Sequence, residues 1–528
     1  MYSKLLSACL YGIDGVMIEV EVDLSGGIPQ TSVVGLPDSA VREAVERVRS
    51  AIKNCGYSFP MQRITINLAP ADIRKEGTAF DLAIALGLLT ASGQVQLPGK
   101  DRLLIIGELS LDGALRPVPG VLPMVDLARR KGFQAVLVPE GNVEEALLLD
   151  GITVYGLRHL KQLLPGEGSN SQHDGVSQQV DTFDSLIRHP VRCTAALLEE
   201  SCHSITEDYS DVLGQRHIKR ALTIAAAGMH NLMLIGPPGT GKTMLIRRLP
   251  GILPVLAPEE SLEVTKIYSA AGMLRQQGSG LITQRPFRAP HHTISAGGLI
   301  GGGGIPKPGE VSLAHRGVLF LDELPEFSRN ALEVLRQPLE ERVVTISRSR
   351  AAFTFPAHFL MAVSLNPCPC GYLGSEPPQP LCTCSPHRIA QYREKMSGPL
   401  LDRIDMHVEV PRPSNWQQDL HPLSSREMRR EVEKAERIQL ERYEGLPFRR
   451  NSELSGSALR RTSRLQPDAE KLLQASFGAL GLSMRAYDRI IKLSRTIADL
   501  EASAHIRPEH IAEAIQYRCL DRRGASVS

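Results

Sequence analysis

Residues 229 to 243 read Met229-His-Asn-Leu-Met-Leu-Ile-Gly-Pro-Pro-Gly-Thr-Gly-Lys-Thr243, and this stretch decides the fold of the middle of the chain. Its apolar run, Leu232 to Ile235, has the length of a strand that is buried on both faces. The run breaks into a loop whose glycines allow the backbone amides to point inward at an anion. The pattern therefore predicts a strand, a phosphate-binding loop and a helix from Met244 to Leu249, with the positive helix end under the phosphate.

This loop predicts a nucleotide site. Lys242 can reach the β- and γ-phosphates of ATP, and the hydroxyl of Thr243 can bind Mg²⁺. A tight turn with a chance Lys-Thr pair is the alternative, but the eight-residue pattern lies in the strand-loop-helix context that a phosphate loop requires. The predicted ATP- and Mg²⁺-binding residues are Gly236, Pro237, Pro238, Gly239, Thr240, Gly241, Lys242, Thr243 and Asp322.

A second apolar run, Val318 to Leu321, ends in the carboxylates Asp322 and Glu323. A buried parallel strand that ends beside a phosphate loop would bring Asp322 to Mg²⁺ and leave Glu323 to orient and deprotonate the attacking water. A third run, Phe359 to Ser364, leads to Asn366, whose amide can hold that water or the γ-phosphate. Together these elements predict ATP hydrolysis.

Composition limits the class of protein. The 528 residues carry a net charge of +2 from 60 basic and 58 acidic residues, so the bulk charge indicates no particular partner. Neither a signal peptide nor a run of 18 apolar residues is present, which predicts a soluble, cytoplasmic protein without a membrane partner. Nine cysteines, mostly scattered, fit reduced thiols better than a disulfide framework.

Residues 1–164 alternate strand-like and helical stretches, which predicts an α/β domain of its own. The segments Lys75 to Leu86, Ile106 to Gly113 and Val136 to Asn142 resemble the peptidase-type domain of Lon proteases and its inactive relative in the RadA recombination protein. The resemblance implies a Lon-peptidase-like, ribosomal-S5-like fold.

The same resemblance predicts that this domain is catalytically inactive. Lon chemistry needs a serine nucleophile and a lysine that removes its proton. This chain has Ala79 where the serine would fall and Leu122 where the lysine would fall. Thr78 with Lys131 is a conceivable substitute pair, but a fold kept as a platform for a ring or for DNA is the favoured interpretation.

Composition shifts divide the rest of the chain. Residues 165–204 are predicted to be a linker, because the part up to about Asp184 is rich in Gly, Ser and Gln with few aliphatic residues and cannot fold alone, and a poorly patterned stretch follows. Residues 205–412 form the predicted P-loop α/β domain, with an insertion at 366–387. Residues 413–528 predict a helical lid over the nucleotide, in which the stretch from Ser425 to Arg442 has the clearest helical pattern.

Four motifs together resemble AAA+ ATPases of the magnesium-chelatase-like group: Gly236 to Thr243, Leu319 to Glu323, Asn366, and Gly398-Pro-Leu-Leu-Asp-Arg-Ile-Asp405. The layout of the whole chain resembles the YifB/ComM family. The resemblance implies a sensor-1 role for Asn366, an arginine finger at Arg403 and a sensor-2 role for Arg485. With Glu323 these are the predicted catalytic residues. A plain ion pair for Arg403 and a solvated position for Arg485 are the alternatives.

Two basic insertions suggest a DNA partner. The first runs from Gln284 to Gly304 and starts with Arg285, Phe287 and Arg288, which combine positive charge with a stacking face. Its glycine-rich end predicts a flexible hinge. Adjacent histidines in this insertion could instead hold a metal, although neighbouring side chains seldom point the same way.

The second insertion, Glu341 to Phe355, alternates as a hairpin does and carries Arg348 and Arg350 at the predicted tip. It resembles the presensor-1 hairpin with which related ring helicases hold DNA. A solvated basic turn is the alternative.

Four cysteines form two Cys-x-Cys pairs, Cys368 with Cys370 and Cys382 with Cys384. Four thiolates in a short loop suit a structural Zn²⁺ ion, although two intervening residues would be the more usual spacing. Reactive thiols and unliganded thiols are the alternatives, and His387 is a possible replacement ligand.

These observations lead to two functional hypotheses. The first is an ATP-hydrolysing ring motor, a homo-oligomer and by resemblance a hexamer. It would act on single-stranded or branched DNA as a helicase that promotes branch migration in transformation or recombination. The alternative is a magnesium-chelatase-like ATPase that remodels a protein or inserts a metal. Ala79 and Leu122 argue against a protease.

Overall fold

The computed structural model divides into two compact units. The first comprises Met1–Cys202, Ser261–Ile282 and Gly304–Lys307, and the second His203–Glu260, Thr283–Gly303 and Pro308–Ser528. The residues that the structure describes are 1–75, 77–97, 99–164, 187–189, 207–274, 280–304, 306–348, 351–374, 380–396, 398–412, 422–518 and 520.

An eight-stranded mixed sheet organises the first unit. Its two longest strands, Tyr2–Tyr11 and Asp14–Ser25, form an antiparallel hairpin in which alternate side chains are buried, because one face of the sheet packs on the core. In spatial order the strands are Ile187–His189, Thr153–Leu157, Ala135–Pro139, Leu103–Ile105, Tyr2–Tyr11, Asp14–Ser25, Arg63–Ala69 and Gln30–Val34.

The helices of the first unit pack on this sheet. Ser39–Asn54 begins at Asp38, whose carboxylate accepts a hydrogen bond from the amide of Val41 at 2.8 Å. Asp81–Ala91 is apolar all round and almost wholly buried, as a helix inside a domain must be. Among the described residues before Cys202, further helices are Val121–Arg130 and Val143–Ala146, and a small antiparallel sheet joins Glu108–Leu109 to Leu115–Arg116.

Segment Ser261–Ile282 belongs to the first unit although it follows the phosphate loop in sequence. It contains most of the helix Pro258–Ala270. The ammonium group of Lys266 pairs with buried Asp126, and the hydroxyl of Ser269 donates to Glu145 at 2.5 Å. Ion pairing and hydrogen bonding therefore fix this segment within the first unit.

Five parallel strands organise the second unit. Every residue of the three central strands is buried, which explains why they read as uninterrupted apolar runs in the sequence. Because the strands are parallel, the residues that follow them meet at one edge of the sheet. In spatial order they are Phe287–Arg288, Val318–Leu321, Leu360–Leu365, Leu232–Ile235 and Met406–Glu409.

Helices surround this sheet and continue into the C-terminal part of the chain. The longest, Ser425–Arg442, spans the residues that the sequence predicts, and Ser424 caps it with Glu427 in a reciprocal pair of hydrogen bonds. The others are Arg216–Gly228, Lys242–Arg247, Ala296–Ile300, Glu310–Leu313, Arg329–Glu333, Arg336–Glu341, Pro386–Glu394, Gly398–Leu401, Gly456–Thr462, Pro467–Leu480, Met484–Leu500 and Pro508–Gln516.

The basic hairpin predicted from the alternation is present. Strands Val343–Arg348 and Ala351–Pro356 pair antiparallel, and Arg348 lies opposite Ala351 at the last pair of the register. The predicted glycine hinge is not an open linker. Its residues include the helix Ala296–Ile300. A Cβ on Gly309, which follows the insertion, would lie 2.3 Å from the amide nitrogen of Gly301, so Gly309 permits the two backbones to pack closely.

Among the helices that the structure describes, none combines the length and the apolar character needed to span a lipid bilayer.

Candidate active site

The phosphate loop follows the central strand Leu232–Ile235 and leads into the helix Lys242–Arg247. Gly239 and Gly241 have φ angles of +78° and +81°, which L side chains rarely adopt, so these glycines permit the loop to turn back on itself. Thr240 is buried and its hydroxyl donates to the carbonyl of Pro237 at 2.9 Å, closing the loop from inside. The side-chain amide of Gln215 donates to the carbonyl of Thr240 at 3.1 Å.

Lys242 is the main positive charge of the loop and is only 8% exposed. Its ammonium nitrogen donates to the carbonyls of Gly236 and Pro237 at 2.7 and 2.9 Å and to the Oδ1 of Asn366 at 3.3 Å. Burial lowers the pKa of Lys242, while nearby Asp322 and Glu323 act in the opposite direction. The side chain thus has neutral partners that a phosphate group can replace.

The hydroxyl of Thr243 donates to Oδ2 of Asp322 at 2.9 Å, so the two predicted Mg²⁺ ligands are in contact. The other oxygen of Asp322 accepts a hydrogen bond from Ser364, a residue of the neighbouring strand that the sequence analysis did not single out. Glu323 is exposed and has a φ angle of +54°, which turns the chain at the strand end. This arrangement separates the carboxylate that can bind the metal ion from the one that can reach water.

These groups line one cavity of about 360 Å³. The structure therefore brings together most of the predicted phosphate loop with both carboxylates and Asn366. The cavity residues are Pro238, Gly239, Thr240, Gly241, Lys242, Thr243, Met244, Asp322, Glu323, Ser364, Leu365 and Asn366. A glycine-rich loop, a buried ammonium group and a hydroxyl-carboxylate pair are the donor set that a Mg²⁺-nucleotide requires, so the residues fit ATP and Mg²⁺.

Arg403 and Arg485 lie elsewhere, in a second cavity of about 310 Å³ within the same unit. Arg403 is 7% exposed, forms an ion pair with Glu340 and donates to the carbonyl of Pro399. Arg485 is exposed and lies 3.8 Å from Asp402. Neither lines the phosphate cavity of its own chain, so the arginine-finger role of Arg403 and the sensor-2 role of Arg485 stay predictions.

The first basic insertion does not form the surface that the sequence suggests. Arg285 is buried and donates to the carbonyls of Pro254 and Arg316 at 2.5 and 2.6 Å, and burial lowers its pKa to about 10. Phe287 packs its ring 6.1 Å from that of Phe320 in the core. Both residues support the sheet, and the predicted DNA contacts of Arg285 and Phe287 do not fit their placement.

Arg288 forms a bidentate ion pair with Glu310, in which Nε and Nη2 of the arginine donate to the two carboxylate oxygens at 2.6 and 2.7 Å. Its guanidinium is thus engaged within the chain, and it does not lie on an open basic surface. Sequence spacing could not reveal these partners, because Glu310 is distant along the chain.

At the hairpin, Arg348 is exposed and donates to the carbonyl of Gly303 at 2.7 Å. Arg350 lies outside the described residues.

The four cysteine sulfurs of Cys368, Cys370, Cys382 and Cys384 all lie within 4.8 Å of one another. Three of the sulfur–sulfur distances are 3.3, 3.5 and 3.6 Å. A tetrahedral zinc ion with Zn–S bonds of about 2.3 Å separates its sulfur ligands by about 3.8 Å, so the cluster has the size of a zinc site. His387 is exposed and is not one of the four grouped ligands.

In the first unit, the positions of the Lon nucleophile and lysine hold no catalytic pair. Leu122 is fully buried in the core. The hydroxyl of Thr78 is hydrogen bonded to Glu108, whereas Lys131 is an exposed residue at the end of the helix Val121–Arg130. The substitute pair of Thr78 and Lys131 is therefore not formed.

The parallel sheet, the glycine loop with its buried lysine and the strand-end carboxylates define a P-loop nucleoside triphosphatase module. Three family models match the chain: Magnesium chelatase, subunit ChlI, over 208–418; Subunit ChlI of Mg-chelatase over 20–142; and Magnesium chelatase, subunit ChlI C-terminal, over 422–518. The chain is also 41% identical over 519 residues to Competence protein ComM of Haemophilus influenzae, covering 97% of this chain and 96% of that protein. The chain belongs to the magnesium-chelatase-like AAA+ family that includes ComM and YifB.

Two other relatives extend this result. Uncharacterized protein YifB of Escherichia coli is 41% identical over 516 residues, 97% of this chain and 96% of that protein. Lon protease 2 of Bacillus subtilis is 26% identical over 168 residues, 28% of this chain and 30% of that protein. The predicted resemblance to Lon in the N-terminal region is thereby confirmed, as is the mixed α/β fold with a C-terminal helical region. Family membership indicates an ATPase that uses ATP and Mg²⁺.

Proposed function

We propose that this protein hydrolyses ATP and uses the energy to move on DNA as a ring-shaped cytoplasmic motor that promotes branch migration. The observation that carries the ATPase step is the contact of Thr243 with Asp322 beside the buried ammonium group of Lys242. The DNA step is supported by the basic hairpin and by the name of the relative ComM, a competence protein.

In the hydrolysis step, the loop amides and Lys242 bind the β- and γ-phosphates and stabilise the charge that develops there. Thr243 and Asp322 would hold Mg²⁺, which supplies positive charge between the phosphates. Glu323, exposed at the cavity, accepts a proton from the attacking water. The side-chain oxygen of Asn366 lies 3.3 Å from the ammonium nitrogen of Lys242, so the amide of Asn366 can bind the γ-phosphate or the attacking water.

Ring assembly would complete the site. Arg403 and Arg485 face a cavity of their own chain that contains no phosphate loop, and such arginines can reach the nucleotide of a neighbouring copy. A hexamer is the assembly that the family resemblance implies. Hydrolysis would then depend on contact between subunits.

DNA would be held chiefly by the hairpin, through Arg348 and through Arg350, which the sequence predicts to be close to it. Arg348 is exposed and can exchange its bond to the carbonyl of Gly303 for a phosphate oxygen. Arg285 and Phe287 are not part of this proposed surface because they are buried or packed in the core. Single-stranded or branched DNA remains the proposed partner.

We also propose that Cys368, Cys370, Cys382 and Cys384 hold a structural zinc ion, on the evidence of their mutual distances.

Protein remodelling is the second candidate function. The family descriptions name a magnesium chelatase subunit, and one of them covers residues 20–142, so the N-terminal domain does not argue against a chelatase-like role. Such an ATPase would act on a protein partner and would be indifferent to DNA.

The test is ATP hydrolysis by the full-length protein with no DNA and with single-stranded, double-stranded and branched DNA. Lys242→Ala serves as the inactive control, because it removes the ammonium group that contacts phosphate. Stimulation that is strongest on branched DNA supports the motor. Hydrolysis that is equal with and without every DNA would favour protein remodelling.

A further inference from the structure

The loop that carries the cysteine cluster lies directly against the phosphate loop. Gly371 follows Cys370 and has a φ angle of +85°. A Cβ atom on Gly371 would lie 2.7 Å from Cδ of Pro238, and its amide donates to the carbonyl of Cys368 at 3.0 Å. The turn within the first cysteine pair is therefore in van der Waals contact with a residue that lines the ATP cavity.

The same segment supplies a polar group of the site. Asn366 precedes Cys368 by two residues and accepts a hydrogen bond from Lys242 at 3.3 Å. After the second cysteine pair, the helix Pro386–Glu394 contains Tyr392, which is 8% exposed. Burial raises the pKa of Tyr392 to about 12, and the backbone of Asn366 acts in the opposite direction, so the two residues are close together. The segment thus includes the cavity residue Asn366 just before the cluster, and residues within and after the cluster lie close to the cavity residues Pro238 and Asn366.

We propose that a zinc ion in the cysteine cluster fixes the position of the phosphate loop, so that the affinity for ATP depends on the zinc content of the protein. The proposal rests on the ATP and zinc sites proposed above. The free energy of metal binding to four thiolates can hold in one conformation a short loop that buries few apolar side chains. Without that constraint, Gly371 and Asn366 would no longer hold Pro238 and Lys242 in place.

Two glycines of this loop provide a matched pair of variants. Gly371 and Gly374 have φ angles of +85° and +80°, so alanine strains the backbone equally at both. Only Gly371 would bring its new methyl group against Pro238, because nothing lies within 4 Å of the corresponding position at Gly374. The difference between the two variants therefore isolates the contact with the phosphate loop.

We expect Gly371→Ala to weaken the binding of a fluorescent ATP analogue at least tenfold and Gly374→Ala to change it less than twofold. A loss of ATP affinity in Gly371→Ala alone supports the contact through which the zinc ion would act on the phosphate loop, and zinc removal tests the dependence on the ion itself. Equal ATP affinity of the two variants would overturn the proposal.

Zinc removal is the second test. The purified full-length protein should contain one zinc per chain by elemental analysis, and chelation should lower its ATP affinity at least tenfold while far-ultraviolet circular dichroism stays unchanged. Added zinc should restore binding. Absence of zinc from the purified protein, or zinc-free protein with unaltered ATP affinity, would overturn the proposal. Because no DNA is present, failure of the DNA motor hypothesis leaves this result unaffected, and failure of the untreated protein to bind ATP would refute the ATPase instead.

Discussion

Glu323 and Asp322 are adjacent carboxylates with different surroundings. Asp322 accepts hydrogen bonds from Thr243 and Ser364, whereas Glu323 is exposed beside the cavity in a left-handed turn. The strand end thus provides one carboxylate that is held in place and one that is free to meet water. Adjacent residues can perform different chemistry because one carboxylate is hydrogen bonded on both oxygens and the other is exposed.

Glu323→Gln should reduce ATP hydrolysis by about 100-fold or more, because it removes the general base. It should leave ATP affinity within a few-fold, since the phosphate contacts remain. Turnover and equilibrium binding of ATP measure the two effects separately. Glu326→Gln, which removes another exposed acid a few residues later, is the matched control and should hydrolyse ATP normally. Normal turnover by Glu323→Gln would exclude the proposed base.

Single residues show both the reach and the limit of sequence reasoning. The phosphate loop and the two carboxylates were predictable, because their spacing follows from the chemistry of phosphate and Mg²⁺. Arg285 was misassigned, because a basic residue in a polar stretch gives no sign of the carbonyls that surround it in three dimensions. Ser364 was missed, although a polar residue near the end of an apolar strand is a usable signal.

At the scale of elements, the central strands and the hairpin were predicted with boundaries close to those observed, because alternating or continuous apolar patterns determine strand burial. The glycine run was predicted as a hinge, yet part of it forms the helix Ala296–Ile300. Composition alone does not distinguish a flexible glycine segment from one in which glycines allow two backbones to touch.

The hairpin Val343–Arg348 and Ala351–Pro356 should carry DNA affinity. Arg348→Ala combined with Arg350→Ala should weaken binding of single-stranded DNA about tenfold or more and lower the slope of log affinity against log salt by about 1.4. Hydrolysis without DNA should persist. Fluorescence anisotropy over a salt series checks this, with Arg336→Ala, an exposed residue of the preceding helix, as control. An unchanged salt slope would remove the hairpin from the DNA surface.

The helix Arg336–Glu341 directly precedes this hairpin and connects it to Arg403 through Glu340. If Arg403 acts on the ATP of a neighbouring subunit, it must leave Glu340 first. We therefore expect Glu340→Gln to raise hydrolysis several-fold at protein concentrations where assembly is incomplete.

A matched control for Glu340→Gln is Glu341→Gln. Glu341 bonds to Gln337 of its own helix and forms no contact with Arg403 that the structure describes. Steady-state turnover against protein concentration is the measurement. A fall in activity with Glu340→Gln would mean that the ion pair positions Arg403 rather than restrains it.

At the scale of the molecule, two buried histidines should make the second unit sensitive to acid. Burial lowers the pKa of His407 from 6.5 to about 3, and His358 is likewise shifted well below 6.5. The unfolded chain therefore takes up these protons first as pH falls. The stability that His407 contributes in this way is present above pH 6.5 and is lost as pH falls toward 3, by about 1.4 kcal/mol per pH unit, and the lowered pKa of His358 acts in the same direction.

Urea unfolding of the second unit, followed at pH 7.5, 6.5 and 5.5, tests this expectation. His407→Gln should flatten the dependence of unfolding free energy on pH below 6.5, even if it lowers stability overall. His217→Gln, which alters an exposed histidine of the same unit, should not. An equal slope in both variants would show that His407 is not the group that titrates.

The path of the chain has a consequence for any attempt to take the protein apart. Ser261–Ile282 leaves the sequence neighbourhood of the phosphate loop and contributes Lys266 and Ser269 to the first unit. A protease that cuts only between residues 164 and 207 would leave two fragments that still share this noncovalent seam. The cleaved protein should consequently elute from a gel-filtration column at the size of the uncut protein under native conditions. An isolated C-terminal fragment would expose to solvent the face of the helix Pro258–Ala270 that otherwise contacts the rest of the first unit.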